Sequence, residues 1–294
     1  MRFFRKRVDP REQALNSRML EVEALSPFHL KRSFEEVHEY FHGYVIEKIP
    51  YLSTQGPFPG ICFICQKEVL FEIERASDGS PVNWRESMKC PDCEMINRWR
   101  SCIHLFHEFY RPDTDSGIYL TEALTPIASY LRSRFPNITT SEYIEGAHPG
   151  KSVFRRGRRI RNEDVTQLSF ASGSLDCILS FDVLEHVPDY KSALGEFSRV
   201  LKNGGKLILT VPFNFERDTL VRAVLEADGS VTHLAEPCYH GDPLSKEGVL
   251  AYYDFGASLM DDMRAAGFSD VGLACFCSNL WGYPGANVAF IAEK

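Results

Sequence analysis

Four cysteines, Cys62, Cys65, Cys90 and Cys93, carry the most explicit chemical spacing in this 294-residue chain. Each Cys-x2-Cys pair has the spacing at which a tight turn aims two thiolates at one ion. Two such pairs complete the four-sulfur tetrahedron that Zn2+ prefers. A closed set of four sulfurs leaves no open coordination position, so the expected role is a structural staple. Lys67–Glu74 alternates as a strand does, and Asp78-Gly79-Ser80-Pro81 reads as a turn, the outline of a zinc ribbon. Cys102, His104 and His107 are also of ligating type, but the set of four lacks nothing.

A second group of residues consists of acids and histidines near strand ends. Gly117–Thr121 reads as a strand followed by Glu122, and Asn137–Ser141 as a second strand followed by Glu142 and Tyr143. Pro126–Phe135, with Pro126 near its start, reads as the helix between them. In doubly wound sheets, an acid at the end of the second strand accepts hydrogen bonds from a ribose diol, which makes Glu142 the leading cofactor residue. Ser180, Phe181 and Asp182 follow a buried strand, Leu175–Ser180, at the edge where open α/β sheets bind ligands. His186 comes next, and an imidazole there can act as a base near neutral pH. The long connection from Phe213 to Phe255 holds Tyr239, His240, Asp242 and His233, and loops of that length on an α/β scaffold usually build a substrate site.

The elements that must position these groups centre on Asp164–Pro212. Asp189 caps a helix in which Ala193, Leu194, Phe197, Val200 and Leu201 recur on one face. Lys202-Asn203-Gly204-Gly205 is expected to stop it with a left-handed glycine, and Lys206–Val211 then forms a strand, completing a right-handed βαβ unit. Downstream, Gly256–Ala266 reads as a helix closed by Gly267. Val271–Cys277 and Ala286–Ile291 read as a closing hairpin turned by Trp281, Gly282 and Tyr283. Upstream, Leu15, Met19, Leu20 and Val22 suggest one helix, and Phe34, Val37, Phe41, Val45 and Ile46 a second.

The segment DVTQLSFASGSLDCILSFDVLEHVPDYKSALGEFSRVLKNGGKLILTVP resembles the second half of a class I S-adenosylmethionine-dependent methyltransferase domain of the type 11-like kind. The resemblance implies an α/β, Rossmann-like, seven-stranded, mostly parallel sheet with helices on both faces and one antiparallel strand. Residues 1–110 would form a small helical and zinc-ribbon domain, and residues 111–294 the methyltransferase domain, with 214–255 as a substrate-side lid insertion. It also implies roles for residues. Glu122, Ala123 and Leu124 would line the methionine moiety, with Ser180, Phe181 and Asp182 as its wall. Glu142 and Tyr143 would meet the ribose, and Asp164 and Val165 the adenine. The chain departs from the family in one loop: TEALTP has no glycine where acidic-x-Gly-x-Gly-x-Gly is usual. NWRESMKCPDCEMINRWR resembles a zinc-binding region ahead of some bacterial methyltransferase domains, in which Arg85, Glu86, Arg98 and Arg100 are expected to tie the ribbon to its neighbour. The YHGDP block resembles one in the zinc-ribbon relatives and names no acceptor.

Composition narrows the function. Hydrophobic residues at 44% and charged residues at 25% are ordinary for a globular chain, and the net charge of −7 argues against broad nucleic-acid binding. Lys151–Arg161 holds six basic residues in eleven and reads as a solvated linker between the second and third strands, with a phosphate-binding patch as the other reading. The Arg2/Arg5/Lys6/Arg7 cluster reads as a solvated terminus. No apolar run approaches the roughly 20 residues of a membrane helix, MRFFRKRVDPREQ lacks the apolar core of a secretory signal, and a cytoplasmic location is expected. The expected function is methyl transfer from S-adenosylmethionine to a small-molecule or glycan hydroxyl or amine. His240, Tyr239 and His186 are the catalytic candidates, and Zn2+ is the structural metal. The alternatives are a zinc-ribbon methyltransferase that binds RNA or DNA, and a catalytically silent scaffold.

Overall fold

The computed structural model describes residues 26–42, 57–75, 82–155, 157–241 and 247–294. The expected helix around Leu15–Val22, the residues Val45 and Ile46, the basic terminal cluster, the turn at 78–81 and Asp242 lie outside the described residues.

The described chain enters through β1 (Phe28–Lys31) and α1 (Phe34–Tyr40), whose cap Ser33 accepts a hydrogen bond from the Glu36 amide. β2 (Phe58–Cys62), β3 (Lys67–Ile73) and β4 (Met88–Lys89) form a small antiparallel sheet, with the short α2 (Trp84–Ser87) ahead of β4. α3 (Asn97–Phe109) leads out of it into β5 (Ile118–Leu120), α4 (Pro126–Arg132), β6 (Ile138–Glu142), β7 (Ser152–Arg155), β8 (Arg158–Asn162) and β9 (Leu175–Phe181). α5 (Tyr190–Val200) starts where the Asp189 carboxylate accepts from the Ser192 amide, and β10 (Leu201–Thr210) follows. Residues 214–255 add β11 (Leu220–Val221), β12 (Ala223–Leu225), β13 (Val231–His233), β14 (Tyr239–His240), β15 (Val249–Leu250) and β16 (Tyr253–Asp254). These pair antiparallel as β11–β16, β12–β13 and β14–β15. α6 (Leu259–Ala265), β17 (Asp270–Ser278) and β18 (Tyr283–Glu293) complete the chain.

The large sheet runs β1-β17-β18-β10-β9-β5-β6-β8-β7. β8, β6, β5, β9 and β10 pair in parallel, and β18 is antiparallel to both β10 and β17. The seven strands expected from the family resemblance are all present, but among the described residues the sheet has nine. β7 and β1 extend it at opposite edges, the second by pairing Phe28 with Phe276. Four residues of FHLK are too short a pattern to read as a strand, and their partner lies far along the chain. Lys151–Arg161 is correspondingly not a linker between strands. It is the β7–β8 hairpin, and its exposed Arg155, Arg158 and Arg159 give a charged rim of the kind that blocks edge-to-edge pairing. Gly204 also differs from expectation. α5 passes directly into extended Leu201, and the positive φ of Gly204 (77°) lies where the β9–β10 register shifts.

Apolar layers cover both faces. α1, α5 and α6 bury Val37, Tyr40, Leu194, Phe197, Leu259 and Met263 on one face. α3 and α4 bury Ile103, Phe106, Ile127 and Leu131 on the other. The cysteine module has its own small core of Val69, Phe71 and Met88 and docks on the turn between β17 and β18. There the Ile61 amide donates to Leu280 O at 2.6 Å. Gly282 (φ 62°) lies so close to the Phe71 ring that a Cβ would come within 2.3 Å of it, so only glycine fits.

Arg100 fastens this joint. It is fully buried, donates to the carbonyls of Trp281 (3.0 Å) and Gly282 (2.9 Å), and stacks over Phe71 with 4.0 Å to the ring centroid.

Candidate active site and metal centre

The two Cys-x2-Cys turns are built alike. Gln66 and Glu94, each four residues after the first cysteine of its pair, adopt positive φ and return an amide hydrogen bond to the carbonyl of that cysteine. Both pairs of thiols thereby converge. The Cys62–Cys93 and Cys65–Cys90 sulfurs lie 3.8 Å apart in each case, and all four sulfurs lie within 4.8 Å of one another. Zn–S bonds of about 2.3 Å in a tetrahedron put sulfurs about 3.8 Å apart, so the residues fit such an ion.

The carboxyl ends of β5, β6 and β9 meet at the switch point of the sheet. Glu142 Oε1 accepts hydrogen bonds from the amides of Ala123 (2.8 Å) and Leu124 (3.0 Å), and Thr125 caps α4 through the Ala128 amide. Residues 121–125 all have negative φ, so this loop keeps its shape without glycine. Glu122 is buried, its Oε1 has no hydrogen-bond partner among the described residues, and burial pushes its pKa up to about 7 against the pull of Thr125 and Arg98.

Asp182 turns the chain after β9 with a positive φ of 54°. It accepts from Thr210 Oγ1 at 2.9 Å and pairs with Arg85 (2.6 Å) and Arg98 (3.2 Å). Burial alone would raise its pKa, but the two guanidiniums hold it well below the usual carboxylate range. Arg98 also forks onto Glu86 at 2.7 and 3.2 Å. Arg85, Arg98 and Arg100 thus tie the cysteine module to the sheet as expected, and Arg85 and Arg98 do so on an acid at the carboxyl end of β9.

The remaining candidates are spread along this edge. Ser180 is buried and accepts from Thr121 Oγ1 at 3.3 Å, and Phe181 turns inward into the core. Ala123 packs with Ile144 and Ile160, with Leu124 at the margin of that cluster. Tyr143 stands 64% exposed beyond β6. Asp164 Oδ1 accepts from Thr166 N (2.9 Å) and Thr166 Oγ1 (2.6 Å), and Val165 is buried.

His186 and His240, 54 residues apart, come together, with Nδ1 of His240 3.2 Å from Nε2 of His186. Tyr239 does not join them. The pleat of β14 sends it to the opposite face, where it is 58% exposed. His233 lies exposed on the β12–β13 hairpin. Sequence reasoning passed over Glu185, which is fully buried beside both imidazoles, 3.5 Å from His186 and 3.4 Å from His240. The only signal for it was its place before His186 in LEHV, because the second histidine arrives through folding alone.

Residues 127–209, less than a third of the chain, match the family described as methyltransferase domain. No curated protein matches the chain. Among solved structures, the chain is similar to an S-adenosylmethionine dependent methyltransferase from Mesorhizobium loti at 13% identity, covering 69% of this chain and 100% of that one with a TM-score of 0.44. It is similar to the 1,6-didemethyltoxoflavin-N1-methyltransferase of Burkholderia thailandensis at 16% identity, covering 67% and 77% with a TM-score of 0.40. It is also similar to a phosphoethanolamine N-methyltransferase of Haemonchus contortus at 14% identity, covering 67% and 53% with a TM-score of 0.40. By the family match, residues 127–209 belong to a methyltransferase domain, and the protein is a transferase enzyme.

Proposed function

We propose that the protein transfers a methyl group from S-adenosylmethionine to a hydroxyl or amine of a small molecule or glycan. The donor supplies a methyl group already activated on a sulfonium, so the protein's task is alignment and exclusion of water. The observation that carries this reading is the buried Glu122 oxygen without a partner at the switch point of the sheet, next to Glu142. A donor with a cationic ammonium supplies the partner that the Glu122 oxygen lacks among the described residues, and its ribose diol would lie beside Glu142.

In this reading Glu122, Ala123 and Leu124 would hold the methionine end, with Ser180, Phe181 and Asp182 as its wall. Glu142 and Tyr143 would meet the ribose, and Asp164 and Val165 the adenine. The 214–255 insertion would cover the acceptor, which His186 and His240 would approach from beneath, with Tyr239 at the rim. Cys62, Cys65, Cys90 and Cys93 would hold a structural zinc. No helix among the described residues is long and apolar enough to cross a membrane. The described cysteines form no disulfide, which suits a reducing cytoplasmic setting.

Calorimetry with S-adenosylmethionine and its demethylated product tests the reading. Wild type should give saturable heat with both, and Glu142→Ala should weaken both at least about tenfold, or ~1.4 kcal/mol. No saturable heat at millimolar ligand would refute the cofactor. One observation favours a nucleic-acid acceptor instead: Phe154 stands 71% exposed among the arginines of the β7–β8 hairpin. Retention of RNA or DNA that weakens steeply with salt would support that acceptor, and no retention at low salt would remove it.

A further inference from the structure

Beside the donor site, three groups converge with too few hydrogens between them. His186 Nδ1 lies 2.8 Å from the carbonyl of Leu250, and a carbonyl only accepts. That nitrogen therefore carries the proton, and the lone pair of Nε2 is turned inward. It points at His240 Nδ1, 3.2 Å away. Glu185 Oε1 lies 3.5 Å from His186 Nε2 and 3.4 Å from His240 Nδ1, without the alignment of a hydrogen bond. Neither Glu185 oxygen has a hydrogen-bond partner, although the side chain has no solvent exposure. A buried carboxylate without an aligned hydrogen bond is costly, because burial strips its water and, among the described residues, only the two off-line imidazoles stand beside it. One imidazole proton cannot satisfy the Nε2 lone pair and both oxygens.

We propose that Glu185, His186 and His240 form a second metal site, for a divalent first-row transition ion. Three ligand atoms on an ion at about 2.1 Å lie about 3.4 Å apart in a tetrahedron and about 3.0 Å apart on an octahedral face. The observed separations of 3.2, 3.4 and 3.5 Å lie in or close to that range. Two imidazoles and one carboxylate select manganese, iron, cobalt or zinc over magnesium or calcium, and three ligands leave positions open for a substrate oxygen. The Leu250 carbonyl is the outer hydrogen bond that fixes a ligating histidine in its tautomer. Because Leu250 and His240 come from the paired strands β14 and β15 of the insertion, the site joins that insertion to the turn after β9.

This deepens the methyl-transfer reading by favouring an oxygen acceptor, and it rests on that reading for this step alone. A hydroxyl on the ion loses its proton to water more readily. Its oxygen then forms the new bond to the methyl carbon, as the carbon–sulfur bond breaks and its electron pair stays on sulfur. The imidazoles act through the ion and not as free bases.

Titration of the full chain with Mn2+, followed by the electron paramagnetic resonance signal of the free ion, tests the site directly. Manganese avoids four-thiolate sites, so a zinc-loaded cysteine module stays silent. About one Mn2+ per chain should bind saturably, and Glu185→Gln and His240→Asn should each weaken binding at least tenfold with unchanged far-ultraviolet circular dichroism. Glu185→Gln keeps the shape and removes a buried charge, so it is expected to fold. Wild type that leaves the free-ion signal undiminished at millimolar Mn2+ overturns the proposal, as does a Glu185→Gln variant that binds as tightly as wild type. Donor calorimetry on manganese-free protein reports the methyltransferase reading separately.

Discussion

Replacing Glu122 with glutamine should change how stability depends on pH, in a direction and by an amount the structure supplies. Glu122 is 7% exposed at the end of β5, with Oε1 unpartnered. Burial takes its pKa from 4.5 to about 7, with Thr125 and Arg98 opposing the rise and Glu142 and Asp182 adding to it. A carboxyl whose folded pKa is raised keeps its proton in the folded state after the unfolded chain has lost it. Between about pH 4.5 and 7 the folded chain therefore binds more protons, and stability falls as pH rises through that window. At about 1.36 kcal/mol per pH unit, the full cost above pH 7 is about 3 kcal/mol.

Glutamine cannot ionise, so Glu122→Gln should lose this slope. Denaturant unfolding of both proteins from pH 5 to pH 8 measures it. The difference in unfolding free energy should grow by roughly 2.5 kcal/mol across the range, in favour of glutamine at the alkaline end. Any cost of the extra amide hydrogens does not vary with pH and drops out of the slope. A difference that stays flat, or one that grows in favour of glutamate, would refute the reasoning. A bound cationic donor should also draw Glu122 to its ionised form. Binding at pH 7 should then release about half a proton in wild type and less in the variant, read as a dependence of the calorimetric heat on buffer ionisation enthalpy.

Two further outcomes test how the cysteine module is built and joined. Elemental analysis should find zinc that Cys90→Ser loses, and with it several kcal/mol, so that the melting midpoint drops by roughly 10 °C; zinc retained in full by the variant would argue against the four-sulfur site. Arg100→Met leaves two buried carbonyls unsatisfied and removes the stack on Phe71, which should cost about 3–5 kcal/mol by thermal or denaturant unfolding. Arg100→Lys should recover little of it, because an ammonium lacks the planar fork that reaches both carbonyls. A loss below about 1 kcal/mol for Arg100→Met would show that the joint is held elsewhere.

Pattern along the chain was enough for the parts of this protein whose causes are local. The Asp189 cap, the apolar stripe of α5, the uninterrupted apolar run of β9 and the paired Cys-x2-Cys turns depend on neighbours a few residues away, and each appears in the fold. The conformation of the glycine-free loop was not legible, because Glu142 holds it from another strand. Gly204 was misjudged because its φ serves a register shift between strands, and local pattern cannot distinguish that from a helix cap. Long-range folding was needed to show that β1 closes one edge of the sheet, and that Arg85 and Arg98 reach Asp182 from the helices α2 and α3. The same holds for His240, which the 214–255 insertion brings to Glu185 and His186. Each of these joins residues dozens to hundreds of positions apart. Their encounter is set by the burial of apolar faces, and the one-dimensional pattern records only that such faces exist.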